Sequence, residues 1–468
     1  MRILSFMNEP YGSFEQDTSN IVVRLPLLGC GVPFEHRDHV FQNDLRAHGP
    51  AEAARRARAV VDAFRPDVVV RHQTPAHIDL PRDFWRGLRA DGIRVIVCIY
   101  DTTVFHFDGE AAAFEDSDVF AVFDSLSTYL EFRLLRRVLG RGPTVVFASG
   151  QFHHESFDPT PEPKDCDVLF VGSREGGRAV FLDRLGELLR GDGISLVLRG
   201  GLTLGDGRPV DRAEWLDWPA FQRAIRRARI CLNMQSYRSR SQIKGRLYES
   251  MACGTFCLTD DNPDSRRYIP NDLVGWFGSV EDCANQVRHW LAHEAEREAA
   301  ARAAHAWLRT TFDYRRFWAD LLRHVLDPAS PAPTLPVLEA EFERLVALQP
   351  VLIRQQLALI TELSRLLASG QPVERMAVKR EGVRGSHSVI ETVDGLAAAL
   401  SRPCWDLVRV GERRLAYVAD MDPLPLDEVG TVSATRGRAV VGHRDGRALV
   451  RVVAELERRR QAGDATAD

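Results

Sequence analysis

A polar segment in the middle of the chain carries residue types that bind a diphosphate. It spans residues 239–269, and its apolar positions recur every three to four residues, which predicts a helix. Lys244 and Arg246 place cationic donors near the start of this helix, where free backbone N–H groups already favour an anion. Glu249, one turn further on, could accept hydrogen bonds from two ribose hydroxyls.

The same spacing also fits a purely structural pair. Arg246 and Glu249 are three residues apart, so they lie on one face of a helix. A pair of this kind on a helix surface contributes only about 0.2–0.5 kcal/mol to stability. The spacing alone therefore leaves both interpretations open.

The elements that would position this segment follow from a regular alternation of apolar patterns. Short, nearly continuous apolar runs are typical of parallel strands buried on both faces. Longer runs with helical periodicity lie between them. The predicted strands are Arg2–Met7, 68–70, 94–101, 118–123, 144–149, 167–173, 194–201, 230–234, 255–261 and 274–277.

Length and a proline-rich linker divide this pattern into domains. The chain has 468 residues, more than the roughly 250–300 that one hydrophobic core supports. Residues 157–165 contain three prolines and no apolar periodicity, which indicates a linker. We therefore predict two doubly wound α/β domains, at 1–160 and 161–327. Ligands bind such sheets at the carboxyl ends of the strands, and residue 244 follows the predicted strand 230–234.

Residues 328–468 form a predicted extension with a helical part at 335–369, a mixed α/β part at 373–456 and a terminal tail. Leucine recurs every seven residues in the helical part, at Leu338, Leu345, Leu352, Leu359 and Leu366. This heptad fits a seam between two chains and hence a homodimer through 335–369. A long hairpin or kinked helix that packs on its own protein is favoured over this seam, because Pro350 interrupts the helix.

Composition excludes several classes of protein. Hydrophobic residues make up 45% and charged residues 27%, which is ordinary for a globular protein. The 61 basic residues nearly balance the 65 acidic ones, so no chain-wide basic surface for nucleic acid is expected. The apolar runs are shorter than a membrane span needs, the N-terminus lacks the pattern of a signal peptide, and the eight cysteines are sparse. We expect a cytoplasmic protein.

The first predicted domain offers further candidates. Asp101 ends the predicted strand 94–101 and His106 follows it, so either could act as a base at the cleft edge or have a structural role. Glu9 follows the first strand in the same way. A cluster with His-x-x-His spacing, which lacks an identifiable third zinc ligand, contains His36, Asp38 and His39.

The run Arg246–Gly254, with the sequence RLYESMACG, resembles the donor-binding motif R-x-[FY]-E-x-x-A-C-G of GT-B glycosyltransferases. The CgeB-like (spore-maturation-protein-B-like) group, related to glycosyltransferase family 4, is the most similar. The segments DVLFVGS at 167–173 and ICLNM at 230–234 add to the likeness, which covers 167–327. The resemblance implies a GT-B fold, in which two Rossmann-like domains face a cleft. The first domain would hold the acceptor and the second a nucleotide-sugar.

The resemblance also implies roles for particular residues. Those implied for donor binding are Gly172, Ser173, Arg199, Lys244, Arg246 and Glu249. Lys244 and Arg246 would bind the diphosphate of a UDP- or GDP-linked sugar and stabilise it as it leaves, without a metal or other cofactor. Glu249 would hold the ribose. The expected activity is that of a hexosyltransferase.

Two alternatives remain open from the sequence. Relatives in family 4 often carry a second glutamate eight positions before the residue equivalent to Glu249, where this chain has Ser241. That departure raises the hypothesis of a non-catalytic, transferase-like binding protein. Nucleotide-sugar epimerases of the same fold also bind a diphosphate there. Protein, peptide, polysaccharide and small-molecule acceptors all fit the sequence.

The leucine repeat makes a prediction about assembly. If the repeat pairs two chains, deletion of residues 335–468 should convert a dimer into a monomer, as measured by light scattering. An unchanged mass per particle, corrected for the deleted residues, would exclude this role.

Overall fold

A computed structural model of the chain describes thirteen segments. They are residues 1–7, 20–72, 79–99, 113–123, 126–139, 142–172, 177–200, 216–235, 245–343, 373–381, 385–393, 407–410 and 413–417. Within these segments, strands and helices alternate over the first 326 residues, as the apolar pattern predicts. The predicted α/β class is confirmed.

The first sheet is parallel throughout, with the strand order β2-β1-β3-β4-β5-β6 in the described segments. Its strands are β1 Arg2–Met7, β2 Glu35–Val40, β3 Val68–His72, β4 Arg94–Ile99, β5 Val119–Val122 and β6 Thr144–Phe147. All of them except β2 were predicted from their apolar runs. The bounds differ from the prediction by at most two residues at either end.

Strand β2 was missed because its sequence, EHRDHV, has no apolar run. It lies at the edge of the sheet and pairs with β1 alone among the described strands. Its residues are half-buried or exposed, unlike those of the inner strands. An edge strand is covered on one side only, so it can keep charged side chains that a central strand would have to bury.

Helices cover both faces of the first sheet. The helices of the first part of the chain are α1 Leu25–Leu28, α2 Phe41–His48, α3 Pro50–Phe64, α4 Arg82–Ala90 and α5 Leu126–Leu139. Trp85 of α4 and Phe132 of α5 pack with Phe120 and Phe147 on one face. Burial of apolar strands on both sides is what a parallel sheet requires.

The second sheet is also parallel, with the order β11-β10-β9-β7-β8 in the described segments. Its strands are β7 Cys166–Val171, β8 Leu196–Arg199, β9 Ala228–Asn233, β10 Phe256–Asp260 and β11 Gly275–Phe277. All five correspond to predicted strands. The order changes direction at β7, between β8 and β9, which is the point where open α/β sheets bind ligands.

The helices that follow β7 pack on both sheets. They are α6 Gly177–Arg190, α7 Trp218–Arg227, α8 Gly245–Ala252, α9 Pro263–Arg266, α10 Val280–Ala292, α11 Glu294–Thr311 and α12 Tyr314–Leu326. Helix α11 packs on the second sheet through Ala300 and Ala301. Helix α12 returns to the first sheet, where Trp318 and Leu321 pack against Val70 and Cys98. The predicted second domain, 161–327, thus contains a helix whose partners belong to the first sheet.

A further helix, α13, spans residues 336–343 and contacts both domains. Leu338 and Phe342 are buried in the core that the domains share. Glu339 forms a two-pronged ion pair with Arg133 of α5, one contact being 2.7 Å, and Glu341 pairs with Arg267 at 3.2 Å. The first leucine of the heptad therefore packs on its own chain.

The C-terminal region contains a four-stranded antiparallel sheet in its described part, with the order β13-β12-β14-β15. The strands are β12 Val373–Glu381, β13 Gly385–Val393, β14 Leu407–Val410 and β15 Arg413–Tyr417. All four strands lie within residues 373–456, for which the sequence predicts a mixed α/β part. The leucines from Leu345 onward lie outside the described residues, so the homodimer remains a prediction. No helix in the described part of the chain combines the length and apolar character needed to cross a membrane.

The ion pair between Arg133 and Glu339 gives a test of the α13 contact. Glu339→Gln should lower the free energy of unfolding by about 1 kcal/mol, because it removes a charge-assisted, partly buried pair. The matched control is Glu343→Gln, since Glu343 approaches Arg137 only to 3.9 Å with both side chains more than half exposed. That control should change stability by less than about 0.5 kcal/mol. Equal urea midpoints for the two variants would contradict a stabilising role.

Candidate functional site

Helix α8 carries the motif residues that the sequence singled out. It starts at Gly245, between the two cationic positions near which the sequence places its start, and Gly254 follows its end with a left-handed φ of 68°. That conformation favours glycine, which commonly ends a helix in this way. Leu247 and Met251 are buried against the second sheet. Helix position and phase are therefore set by burial of these apolar side chains.

Arg246 is held at the carboxyl end of β7. Its Nε donates a 2.8 Å hydrogen bond to the carbonyl oxygen of Val171, the last residue of that strand. Its guanidinium lies 4.4 Å from the centre of the Phe221 ring, and Nη1 donates to Glu249. Three different elements thus fix the orientation of this cation at the switch point of the sheet.

The ion pair between Arg246 and Glu249 is present, as the structural interpretation of their spacing requires. It is not an ordinary surface pair, because the side chains are only 28% and 15% exposed. A guanidinium has five N–H donors, and the described residues accept from two of them, one at Val171 and one at Glu249. Within the part of the chain that the structure describes, the other three N–H groups have no acceptor, so they can donate to a ligand at this edge.

Gly245 allows the Glu249 carboxylate to lie against the first turn of the helix. A Cβ atom at position 245 would be 3.1 Å from Oε1 of Glu249, closer than a relaxed contact. The absence of a side chain there therefore permits the observed carboxylate position.

Gly172 and Arg199 lie at the same edge. The N–H of Gly172 donates a 3.0 Å hydrogen bond to the carbonyl of Arg199, because β7 and β8 are neighbours. The Arg199 side chain is exposed, and among the described residues it donates a hydrogen bond to the carbonyl of its neighbour Leu198, at 3.3 Å. The structure thus brings Gly172, Arg199, Arg246 and Glu249 together. Lys244 and Ser173 lie outside the described residues.

A buried arginine that the sequence pattern does not reveal lies beside this edge. Arg178, in the first turn of α6, is 7% exposed and donates to the carbonyls of Met234 and Gln235 at 2.5 and 3.1 Å. The carboxylate of Asp260 accepts from the N–H of Gln235 at 3.1 Å. These contacts fix the chain just after β9, where the segment leading to α8 begins. A lone arginine in a polar run gives no sequence signal for such a role.

The candidate bases of the first domain, Asp101 and His106, lie outside the described residues, and so does Glu9. The described residues at the end of β3 are instead Arg71 and His72, both buried. Arg71 pairs with Asp79 at 3.0 Å and lies 4.1 Å from the centre of the Trp85 ring. Burial lowers the pKa of His72 to about 3, so this imidazole is neutral near pH 7.

The histidine cluster on β2 is not arranged for chemistry. His36 Nε2 contacts the Ser5 hydroxyl at 3.0 Å and Asp38 at 3.4 Å, so one nitrogen faces both partners and no relay through the ring is formed. Ser5 is fully buried. His39 lies on the opposite face, edge-on to Phe6. Within the described segments no group of three potential metal-binding side chains occurs, so the zinc hypothesis finds no support there.

Comparison with solved structures establishes the fold. A sucrose-phosphate synthase from Thermosynechococcus elongatus has 14% sequence identity and a TM-score of 0.51, over 70% of this chain and all of that one. The Anabaena protein HepE, solved with UDP-glucose, has 12% identity and a TM-score of 0.47 over 69% of this chain and 99% of its own. An E. coli structure bound to UDP-2-fluoro glucose has 11% identity and a TM-score of 0.47 over 70% of this chain and 99% of its own. The fold is the two-domain GT-B type.

Sequence comparison finds a match to a known family in the second domain. A family model described as glycosyl transferase-like matches residues 175–323, about a third of the chain. No curated protein sequence matches the chain. The matched part contains Arg178, Arg246 and Glu249, whereas the first domain and the C-terminal region lie outside it.

The contact of Gly245 with Glu249 gives a test of the site. If Glu249 holds the ribose of a uridine nucleotide, as the resemblance implies, Gly245→Ala should displace its carboxylate and weaken the binding of UDP about threefold to tenfold, the loss of one hydrogen bond. Its melting temperature should not fall, since alanine favours a helix over glycine. Gly87→Ala in α4, where the added Cβ meets open space, is the control and should leave UDP binding unchanged. Calorimetric titration with UDP would measure both, and equal affinities would contradict the role of Glu249.

Proposed function

We propose that this protein is a glycosyltransferase that moves a sugar from a nucleotide-diphosphate sugar to an acceptor bound by the first domain. The observation that carries the proposal is the placement of Arg246. A partly exposed guanidinium with N–H groups to spare is held rigidly at the switch point of a GT-B sheet. The match of residues 175–323 to a glycosyl transferase-like family supports it.

The chemistry follows from where charge develops. In glycosyl transfer the bond between the sugar and the diphosphate breaks, and negative charge grows on the departing phosphate while the sugar gains oxocarbenium character. A cation that is already oriented stabilises this charge without reorganisation during the reaction. The Val171 carbonyl and the Phe221 ring supply that orientation for Arg246. Lys244, two residues earlier, would add a second positive charge.

Glu249 has two roles in this proposal. Its carboxylate orients Arg246 through the ion pair, and its remaining lone pairs accept hydrogen bonds from the ribose of the donor. Gly172 lets the backbone approach the phosphates, and Arg199 extends the cationic edge toward the nucleotide. Because side chains supply the positive charge, we propose that the transfer needs no metal ion.

We also propose a family relationship and a cellular location for this protein. The motif Arg246–Gly254 supports a place near the CgeB-like group and a hexosyltransferase activity. The seven cysteines of the described segments are free and buried, which supports a reducing compartment such as the cytoplasm. UDP- and GDP-linked sugars are the donors to be tested first.

The test begins with donor hydrolysis, since transferases release sugar slowly to water in the absence of an acceptor. The protein is incubated with UDP-glucose, UDP-N-acetylglucosamine or GDP-mannose, with and without EDTA, and the nucleoside diphosphate is measured. We expect one donor to be hydrolysed, at the same rate with and without the chelator. Conversion of the donor into its epimer without release of diphosphate would instead indicate an epimerase.

Variants of the ion pair then test the site. Arg246→Ala should lower kcat about 100-fold, because its contact strengthens as the diphosphate leaves. Glu249→Gln should mainly raise the donor KM, about tenfold. Arg184→Ala is the matched control, since Arg184 pairs with Glu187 three residues away in the same domain but is more than half exposed. If Arg246→Ala hydrolyses the donor at the same rate as the Arg184→Ala control, the proposal is overturned.

A further inference from the structure

A chain of three buried hydroxyl groups joins the two domains beneath the donor helix. The hydroxyl of Tyr248 lies 3.0 Å from Oγ of Ser149 and 2.6 Å from the hydroxyl of Tyr268. All three residues are less than a tenth exposed. A tyrosine hydroxyl has one proton and can also accept, so Tyr248 can donate to one partner and accept from the other. Removal of its oxygen would leave both partners without this contact.

The three hydroxyls come from separate parts of the fold. Ser149 lies two residues after β6, where the chain leaves the first sheet. Tyr248 belongs to α8, between Arg246 and Glu249. Tyr268 follows α9 in the second domain, and its ring packs edge-on against Phe147 at the end of β6, with 5.6 Å between centres. The hydroxyl of Tyr248 therefore connects the donor helix to the end of the first sheet.

Both connections between the domains pass this point. The first runs from β6 to β7, and the second runs through Phe312, between α11 on the second sheet and α12 on the first. The Phe312 ring lies 5.6 Å from that of Tyr248, nearly perpendicular to it. Gly150 lies against the same ring, since an added Cβ would be 2.8 Å from it. Any rotation of one domain against the other must therefore act on the surroundings of Tyr248.

The C-terminal helix α13 reaches the same place. Arg267, next to Tyr268 in the chain, pairs with Glu341 of α13 at 3.2 Å. Arg133, which pairs with Glu339, belongs to the first domain. Helix α13 therefore holds the segment that carries Tyr268 against the first domain, and it stabilises the hydroxyl chain from outside.

We propose that Tyr248 is a positioning residue that couples the geometry of the domain interface to the donor site. Its hydroxyl fixes the rotation of α8 against Ser149 and Tyr268, and this rotation sets where Arg246 and Glu249 meet the nucleotide. The inference rests on the proposed function, because it concerns how the same site is oriented. It adds a residue that touches no substrate and that lies on the buried face of the helix.

The experiment compares Tyr248→Phe with Ser117→Ala. Ser117 is the control, because it is equally buried and its hydroxyl donates one hydrogen bond, to the carbonyl of Phe114 at 3.1 Å, but it lies just before β5, at the opposite end of the first sheet. Each variant is measured for its urea midpoint, for UDP affinity by calorimetry and for donor hydrolysis. Both should lose stability. Only Tyr248→Phe should also lower UDP affinity and kcat/KM, each about threefold to tenfold, the range of one to two modest hydrogen bonds.

A second variant keeps the proposal testable if Tyr248→Phe does not fold. Ser149→Ala removes one hydroxyl from the first-domain end of the chain, leaves the donor helix unchanged in sequence, and should lower UDP affinity in the same direction by a smaller factor. If Tyr248→Phe does not fold, the comparison of Ser149→Ala with Ser117→Ala decides. UDP affinities equal to that of the unmodified protein in the folded variants would overturn the positioning role.

Arg246→Ala separates this proposal from the proposed function. If it abolishes UDP binding while Tyr248→Phe and Ser149→Ala leave binding unchanged, the glycosyltransferase site stands and the positioning role is wrong. If Arg246→Ala binds UDP as well as the unmodified protein does, the donor site itself is assigned wrongly.

Discussion

Burial of both faces of two parallel sheets is the constraint on which the rest of the structure depends. Strands such as β4 and β9 have apolar side chains toward both faces, since helices cover each side. Polar groups that act on a ligand cannot lie in such a sheet and are confined to its ends. Hence the described cationic and acidic groups of the site, Arg246 and Glu249, lie where β7 ends. The chemistry is located by the same burial that stabilises the fold.

The domains are not independent bodies joined by a linker. One hydrophobic cluster contains Phe147 of the first domain together with Tyr248 and Tyr268 of the second, and it continues to Phe342 of α13. Helix α12 returns to the first sheet and covers the face that α3, α4 and α5 leave open. The second domain and the region after residue 327 therefore both contribute to the stability of the first.

The ion pair between Arg246 and Glu249 shows that a structural and a functional interpretation of two residues need not compete. The pair stabilises the helix and is partly buried, and the same contacts orient a guanidinium toward the edge of the sheet. Orientation before the ligand arrives is what makes a fixed cation effective against a developing charge. A flexible surface arginine would lose more side-chain entropy on binding and stabilise the charge less.

The sequence by itself determined the two-sheet architecture, the strands of both parallel sheets except β2, and the helix that carries the motif. These follow from local periodicity, because a strand buried on both faces must be apolar at every position and a helix must repeat its apolar residues every three to four. It also singled out Arg246, Glu249, Gly172 and Arg199. Only the tertiary structure decided that Arg246 binds the carbonyl of Val171, 75 positions earlier in the chain, and that Arg178 supports the end of β9. It alone placed α12 on the first sheet and joined Tyr248 to Ser149. Contacts between positions so far apart depend on how the sheets and helices pack. Local periodicity does not determine that packing, because it reflects only residues that are close in the sequence.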